Sequence, residues 1–143
     1  MATTFERVRW SPLHPLHAMF LAFPLVLFVG ALLSDLAYQS TYEIQWANFS
    51  AWLIAGGLFV GAFALLWALV DLIRGGSARK GRITLYFVVL LVMWVLGFIN
   101  ALVHAKDAWA TMPAGLYLSI VVAILALIAA WVGYSGFRAG DVK

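Results

Sequence analysis

Residues 83–103 read ITLYFVVLLVMWVLGFINALV, and none of these 21 side chains carries a charge. Residues 16–36, 49–73 and 114–134 have the same apolar character, with a single aspartate in each of the first two. Each stretch is close to the ~20 residues that a helix needs to cross a hydrocarbon core of about 30 Å. In lipid the backbone must satisfy its own hydrogen bonds, so we predict an α-helix for each stretch.

The composition of the whole chain is typical of a membrane protein. Of the 143 residues, 65% are hydrophobic and 10% are charged, and the mean hydropathy is +0.99. Soluble domains carry roughly 25% charged residues, so this chain has too little polar surface to face water on all sides. It has no cysteine, which excludes disulfides, thiolate ligands to haem or metal, and cysteine nucleophiles.

The connections between the apolar stretches are short and polar, at residues 39–48, 74–82 and 106–113. Short connections make consecutive helices antiparallel neighbours. We therefore predict a single domain, residues 1–143, folded as an all-α, antiparallel four-helix bundle in the membrane.

The basic residues predict the orientation of this bundle. Eight of the nine lysines and arginines fall on the side that holds the N-terminus, the second connection and the C-terminus. These eight are Arg7, Arg9, Arg74, Arg79, Lys80, Arg82, Arg138 and Lys143. Positively charged loops stay in the cytoplasm, so we expect both ends to be cytoplasmic, in a multi-pass protein of the bacterial inner membrane. The basic second connection is expected to contact anionic lipids and no nucleic acid.

Two helices carry stripes of small residues, which allow membrane helices to pack closely. The stripes are Gly57, Gly61, Ala64 and Ala68 in the second helix, and Ala126, Ala129, Gly133 and Gly136 in the fourth. We expect both stripes to face other helices, either within the chain or in a homo-oligomer.

Ionisable residues inside a span are costly and therefore indicate function. An inner layer holds His14 and His17 at the start of the first helix and Asp71 near the end of the second, with Thr84 and Tyr86 approaching from the third. The two histidines are three residues apart, so they project from neighbouring positions, and Asp71 could orient one imidazole. Two interpretations stay open: a haem, metal or quinone site, or a polar helix start without a ligand.

Geometry argues against haem in this layer, because two histidines on one helix cannot bind opposite faces of the same haem. His104 lies at the other membrane surface, where it forms an outer layer with Asp35, and Asn100 lies one turn deeper. We interpret the outer layer as a structural pair near the interface, within reach of water. The rival interpretation is a point where protons enter or a partner docks.

Several motifs carry a family resemblance: His14-Pro15-Leu16-His17-Ala18-Met19, Phe23-Pro24, Ser34-Asp35-Leu36 and Asp71-Leu72-Ile73. They resemble the DUF2231 family of predicted bacterial membrane proteins, which has four helices and a His-Pro-x-His signature. The resemblance implies a partner of membrane-bound redox enzymes, such as quinone-dependent sugar dehydrogenases with cytochrome c domains. It also implies haem b or quinone as a cofactor, bound at His14, His17 and Asp71.

The chain departs from the family pattern in two places. Members carry a further histidine at the start of the third helix, where this chain reads RITLY at residues 82–86. They end the fourth helix with Gly-Gly-Glu and a later His-Gly, where this chain reads WVGYSGF at residues 131–137. The missing groups would all lie in the inner layer, which favours a site without a cofactor.

Taken together, the residues and the resemblance lead us to expect an accessory or anchor subunit of a redox system, without enzymatic activity of its own. Its expected partners are membrane lipids, a redox enzyme or cytochrome, and a second copy of the chain. The alternative is a non-catalytic structural module that oligomerises through the small-residue stripes and binds no cofactor. A small channel or transporter ranks third, because the spans have few polar interior groups.

Overall fold

The computed structural model describes residues 14–74 and 80–136 of the chain. The helices are α1 (Pro15–Thr41), α2 (Ile44–Arg74), α3 (Lys80–His104), α4 (Ala108–Thr111) and α5 (Ala114–Gly136). All but α4 are long and apolar enough to cross a membrane, and the described residues contain no strand. The predicted all-α fold with four membrane-spanning helices is confirmed. Five of the basic residues behind the predicted orientation lie outside the described ranges: Arg7, Arg9, Arg79, Arg138 and Lys143.

The helices extend beyond the apolar stretches that predicted them. Only Tyr42 and Glu43 separate α1 from α2, where the sequence predicted a connection over residues 39–48. Tyr42 ends α1 in the left-handed region with φ 56°, and its N–H donates to the carbonyl of Tyr38 at 2.8 Å. The difference arises because hydropathy marks the part of a helix that lies in hydrocarbon, whereas backbone hydrogen bonding continues into the polar interface. The short α4 within the third connection was likewise not predicted.

The four long helices pack in the ring order α1, α2, α3, α5, which closes between α5 and α1. Cross-helix contacts show the predicted antiparallel arrangement of neighbours. On α1 the contacts run from Phe20 to Ala31, while their partners on α2 run backwards from Phe63 to Ser50. The start of α1 and the end of α2 therefore lie at one end of the bundle, and the end of α1 and the start of α2 lie at the other.

Small residues bring the helices together inside the chain. Gly57, Gly61, Ala64 and Ala68 are all buried, as are Ala126, Ala129 and Gly133 on α5. A Cβ on Gly57 would lie 2.9 Å from Cε1 of Phe28, and a Cβ on Gly97 would lie 3.3 Å from Cζ of the same ring. Of the two arrangements expected for the stripes, packing within the chain is the one that the structure shows.

Candidate functional site

Two groups of polar side chains lie at opposite ends of the bundle. The first, called the His17 layer, consists of His14, His17, Trp67, Asp71 and Tyr86. The second, called the Asp35 network, consists of Asp35, Ser50, Asn100, His104 and Ser119.

His17 is the buried centre of the His17 layer, with 1% of the residue exposed. Its Nε2 lies 2.9 Å from the hydroxyl of Tyr86, one of the two residues expected to approach from the third helix. The other, Thr84, is exposed, and its hydroxyl donates to the carbonyl of Lys80 at 2.7 Å. The indole of Trp67 packs against His17, with ring centroids 5.3 Å apart. The hydrogen bond and the aromatic contact together hold the imidazole in one position between α1, α2 and α3.

His14 lies in a different environment although it is only three residues away. It directly precedes α1 and is exposed, with its ring centroid 5.3 Å from that of Trp67. Trp67 therefore contacts both histidines, one inside the bundle and one at its surface. The two histidines, which were expected to project from neighbouring positions, both contact this indole.

Asp71 belongs to a groove on the outer surface of the bundle, next to the two histidines. The groove has a volume of about 410 Å³ and is lined by Phe20 of α1 and by Phe63, Leu66, Trp67, Val70, Asp71 and Arg74 of α2. Phe63, Leu66 and Val70 are exposed, so the groove opens sideways to the surroundings of the helices. Its walls are apolar along most of their length and charged at one end.

Haem does not fit the His17 layer. The Nε2 that would bind iron is hydrogen-bonded to Tyr86. The space between α1, α3 and α5 is also filled, since a Cβ on Gly133 would meet the side chain of Leu21 and lie 3.1 Å from Cε2 of Tyr86. Within residues 14–74 and 80–136, no three His, Cys, Asp or Glu side chains come close enough together to hold a metal ion.

The Asp35 network joins all four spans through side chains. Asp35 Oδ1 lies 2.9 Å from Nε2 of His104, and Oδ2 accepts a hydrogen bond of 2.5 Å from Ser119. Asn100 donates from Nδ2 to the Ser119 hydroxyl at 2.8 Å. Ser50 lies 3.2 Å from Nε2 of His104. These contacts link residues of α1, α2, α3 and α5 in one connected cluster.

The sequence-based expectation that water reaches Asp35 and His104 is wrong. The side chain of Asp35 is 0% exposed and that of His104 is 2% exposed. The burial follows from the close approach of α5, where a Cβ on Gly115 would lie only 2.8 Å from Cε1 of His104. The Asp35 and His104 pair is therefore part of the bundle interior, which agrees with a structural role.

The network contains serine, histidine and aspartate but lacks the arrangement of a hydrolase. In a catalytic triad the serine and the carboxylate bind opposite ring nitrogens of the histidine. Here both Ser50 and Asp35 approach Nε2, while Nδ1 lies 3.0 Å from the backbone carbonyl of Asn100. No nitrogen is left to activate Ser50, so nucleophilic catalysis is not supported.

Sequence reasoning missed Ser50, Ser119 and Gly115 in this network. All three are small residues in apolar helices, where such residues are common. Their importance depends on which residues of distant helices lie opposite them, and Ser119 is 84 positions from Asp35. The signal available in the sequence was the presence of these two serines inside apolar stretches.

The comparisons with known proteins identify a family and nothing more specific. No curated protein and no solved structure matches the chain. The family described as "Predicted membrane protein (DUF2231)" matches residues 13–137. That range includes the His17 layer, the Asp35 network and all four candidate spans. With four such helices, this multi-pass membrane protein belongs to the DUF2231 family.

Proposed function

We propose that the protein is an accessory subunit of a membrane-associated redox system, and that it holds an isoprenoid quinone beside His14, His17 and Asp71. The observation that supports this most directly is the groove of about 410 Å³ between α1 and α2. Its volume is within the range of about 300–1,000 Å³ that is usual for small-molecule sites. It opens sideways, in the direction from which a lipid-soluble ligand would arrive.

The groove has an apolar end and a charged end, as a quinone has an isoprenoid chain and a polar head group. Phe20 and Phe63 stack at 5.4 Å and give an apolar wall for the isoprenoid chain. At the other end, the carboxylate of Asp71 can accept a hydrogen bond from a quinol hydroxyl, and Arg74 can donate one to a quinone carbonyl. The indole of Trp67 lies between these ends and offers a flat surface to a planar head group. A bound quinone would supply two-electron, two-proton carrier chemistry.

His17 and Tyr86 lie behind Trp67 and support the groove from inside the bundle. Their hydrogen bond of 2.9 Å fixes the imidazole against which the indole packs. We expect His17 to position Trp67, whereas Asp71 and Arg74 contact the head group. We expect the redox partner to dock where this end of the bundle meets the membrane surface. The excess of basic residues supports a cytoplasmic position for that end in a bacterial inner membrane.

A non-catalytic structural module remains the alternative function. Oligomerisation through the small-residue stripes is the less favoured form of it, because those residues are buried within one chain. A structural role would instead use the lipid-facing aromatic residues, and it would leave the groove to lipid chains.

Quinone binding is tested by the fluorescence of the purified protein in lipid nanodiscs, titrated with a short-chain ubiquinone. We expect saturable quenching that is largely lost in Trp67→Phe. In Asp71→Asn the affinity is expected to fall about tenfold, because a hydrogen bond to a charged group contributes about 1.5–3 kcal/mol.

The matched control is Trp131→Phe, which removes an indole on α5 that is 78% exposed. This variant should keep the saturable quenching of the unmodified protein. Equal quenching losses in Trp67→Phe and Trp131→Phe would show that the quinone only dissolves in the lipid, and would overturn the proposed site.

A further inference from the structure

In the Asp35 network, the hydrogen-bond partners of His104 indicate which of its ring nitrogens carry a proton. Nδ1 of His104 faces the backbone carbonyl of Asn100 at 3.0 Å. A carbonyl oxygen only accepts hydrogen bonds, so Nδ1 carries a proton. The charge of the imidazole then depends on Nε2 alone.

Two side-chain oxygens lie within hydrogen-bond distance of Nε2. Ser50 donates its hydroxyl proton to the carbonyl of Ala31 at 3.3 Å, so its oxygen presents a lone pair to Nε2 at 3.2 Å. Asp35 Oδ1 is the nearer of the two oxygens, at 2.9 Å. A proton on Nε2 satisfies both contacts when Asp35 is a carboxylate.

The remaining contacts of Asp35 agree with an ionised carboxylate. Its Oδ2 accepts the single hydroxyl proton of Ser119. Ser119 can give that proton away because its oxygen is already held by a hydrogen bond from Asn100. Hydrogen bonds that donate to a carboxylate favour its charged form, and the one to Oδ2 does not depend on the state of His104.

We propose that the Asp35 network is a proton-binding site inside the membrane-spanning region, in which His104 is an imidazolium and Asp35 is a carboxylate. The exchangeable proton is the one on Nε2. Its transfer to Asp35 Oδ1 breaks one N–H bond and forms one O–H bond, and the ring nitrogen keeps the electron pair. The net charge of the pair is zero before and after the transfer, so a proton can be held here without bringing net charge into the span.

Asn100 adds a buried hydrogen-bond acceptor to the site. The residue is 1% exposed, and its Oδ1 has no hydrogen-bond partner among residues 14–74 and 80–136. Buried acceptors without partners are rare in native proteins. This oxygen marks the side from which a water molecule or another proton donor would join the site.

The test uses ¹⁵N solid-state NMR of histidine-labelled protein in lipid bilayers at pH 7.5, with the signals of His104 assigned through His104→Gln. We expect both ring nitrogens of His104 to be protonated in the unmodified protein. In Asp35→Asn we expect one protonated and one unprotonated nitrogen, because the carboxylate that stabilises the imidazolium is gone. An imidazolium signal that is the same in Asp35→Asn would overturn the proposal.

Infrared spectroscopy of protein with ¹³C-labelled aspartate gives a second measurement, which reads the protonation state of the carboxyl group in the unmodified protein. The proposal expects Asp35 to contribute a carboxylate band and no protonated carboxyl band, with Asp35→Asn used only for assignment. A neutral His104 together with a protonated Asp35 in the unmodified protein would disprove it directly.

Discussion

His104→Leu is expected to lower the free energy of unfolding by about 3–5 kcal/mol, which is the usual cost of removing one partner from a buried ion pair. The substitution would leave the carboxylate of Asp35, 0% exposed, without its cation inside the span. The size of the loss distinguishes a buried ion pair from an ordinary hydrogen bond between Asp35 and His104. An ordinary hydrogen bond between membrane helices contributes only about 0.6 kcal/mol on average. The measurement is an unfolding titration in detergent micelles, followed by circular dichroism.

A second substitution tests whether this loss comes from the uncompensated carboxylate. Asp35→Leu in the His104→Leu background is expected to restore most of the lost stability, since apolar residues can replace a buried ion pair at little cost. Asp107→Asn is the control, because Asp107 is an exposed carboxylate at the same end of the bundle; it should leave the unfolding curve unchanged. Additive losses in the double variant would show that the two residues act independently.

The sequence predicted the number, type and order of the spanning helices because each apolar stretch has one stable solution in lipid. Residues 83–103, for example, lie wholly within α3 (Lys80–His104). The ends of the helices were less predictable. Residues such as Ser40 and Thr41 are polar, yet they continue α1, because their hydroxyls bond to the carbonyl of Ala37 while the backbone stays helical.

The polar groups were predictable only where they are ionisable. Asp35, His17 and His104 stand out in apolar surroundings because a charge there is costly, and the structure places all three in buried clusters. Their exposure was harder to predict. Asp35 lies near the end of an apolar stretch, so its depth along the helix suggested water, but Ser119 of α5 binds it and Gly115 of α5 packs against its partner His104. That cover depends on the register between distant helices, which no pattern within one helix contains.

Spacing alone also gave too simple a picture of His14 and His17. Residues three apart share a helix face, and the prediction placed both at the start of the first helix. In the structure α1 begins at Pro15, so His14 precedes the helix and remains exposed while His17 is buried. A proline at the first helical position is a common start signal, and it was the observation that could have separated the two histidines.

Gly57→Leu is expected to cause a loss of stability at or above the upper end of the ~1–3 kcal/mol typical of overpacked cores. The first added carbon alone would lie 2.9 Å from Cε1 and 3.0 Å from Cζ of Phe28, a ring that is 1% exposed. A Cβ on Gly97 of α3 would lie 3.3 Å from Cζ of the same ring, so α3 restricts how far the ring can move. The helices α1 and α2 must therefore separate, which detergent unfolding or limited proteolysis would detect.

Phe28→Ala in the Gly57→Leu background should recover part of this loss, because it removes the ring that the leucine displaces. The control is Gly81→Leu, since a Cβ on Gly81 meets nothing within 4 Å and leucine favours helix over glycine by up to about 1 kcal/mol. The same variants decide between packing within the chain and packing between chains. If Gly57→Leu dissociated an oligomer while each chain kept its stability, the stripe on α2 would be an intermolecular surface. If the monomer itself unfolds and Phe28→Ala rescues it, the stripe is the contact that holds α2 against α1 within one chain.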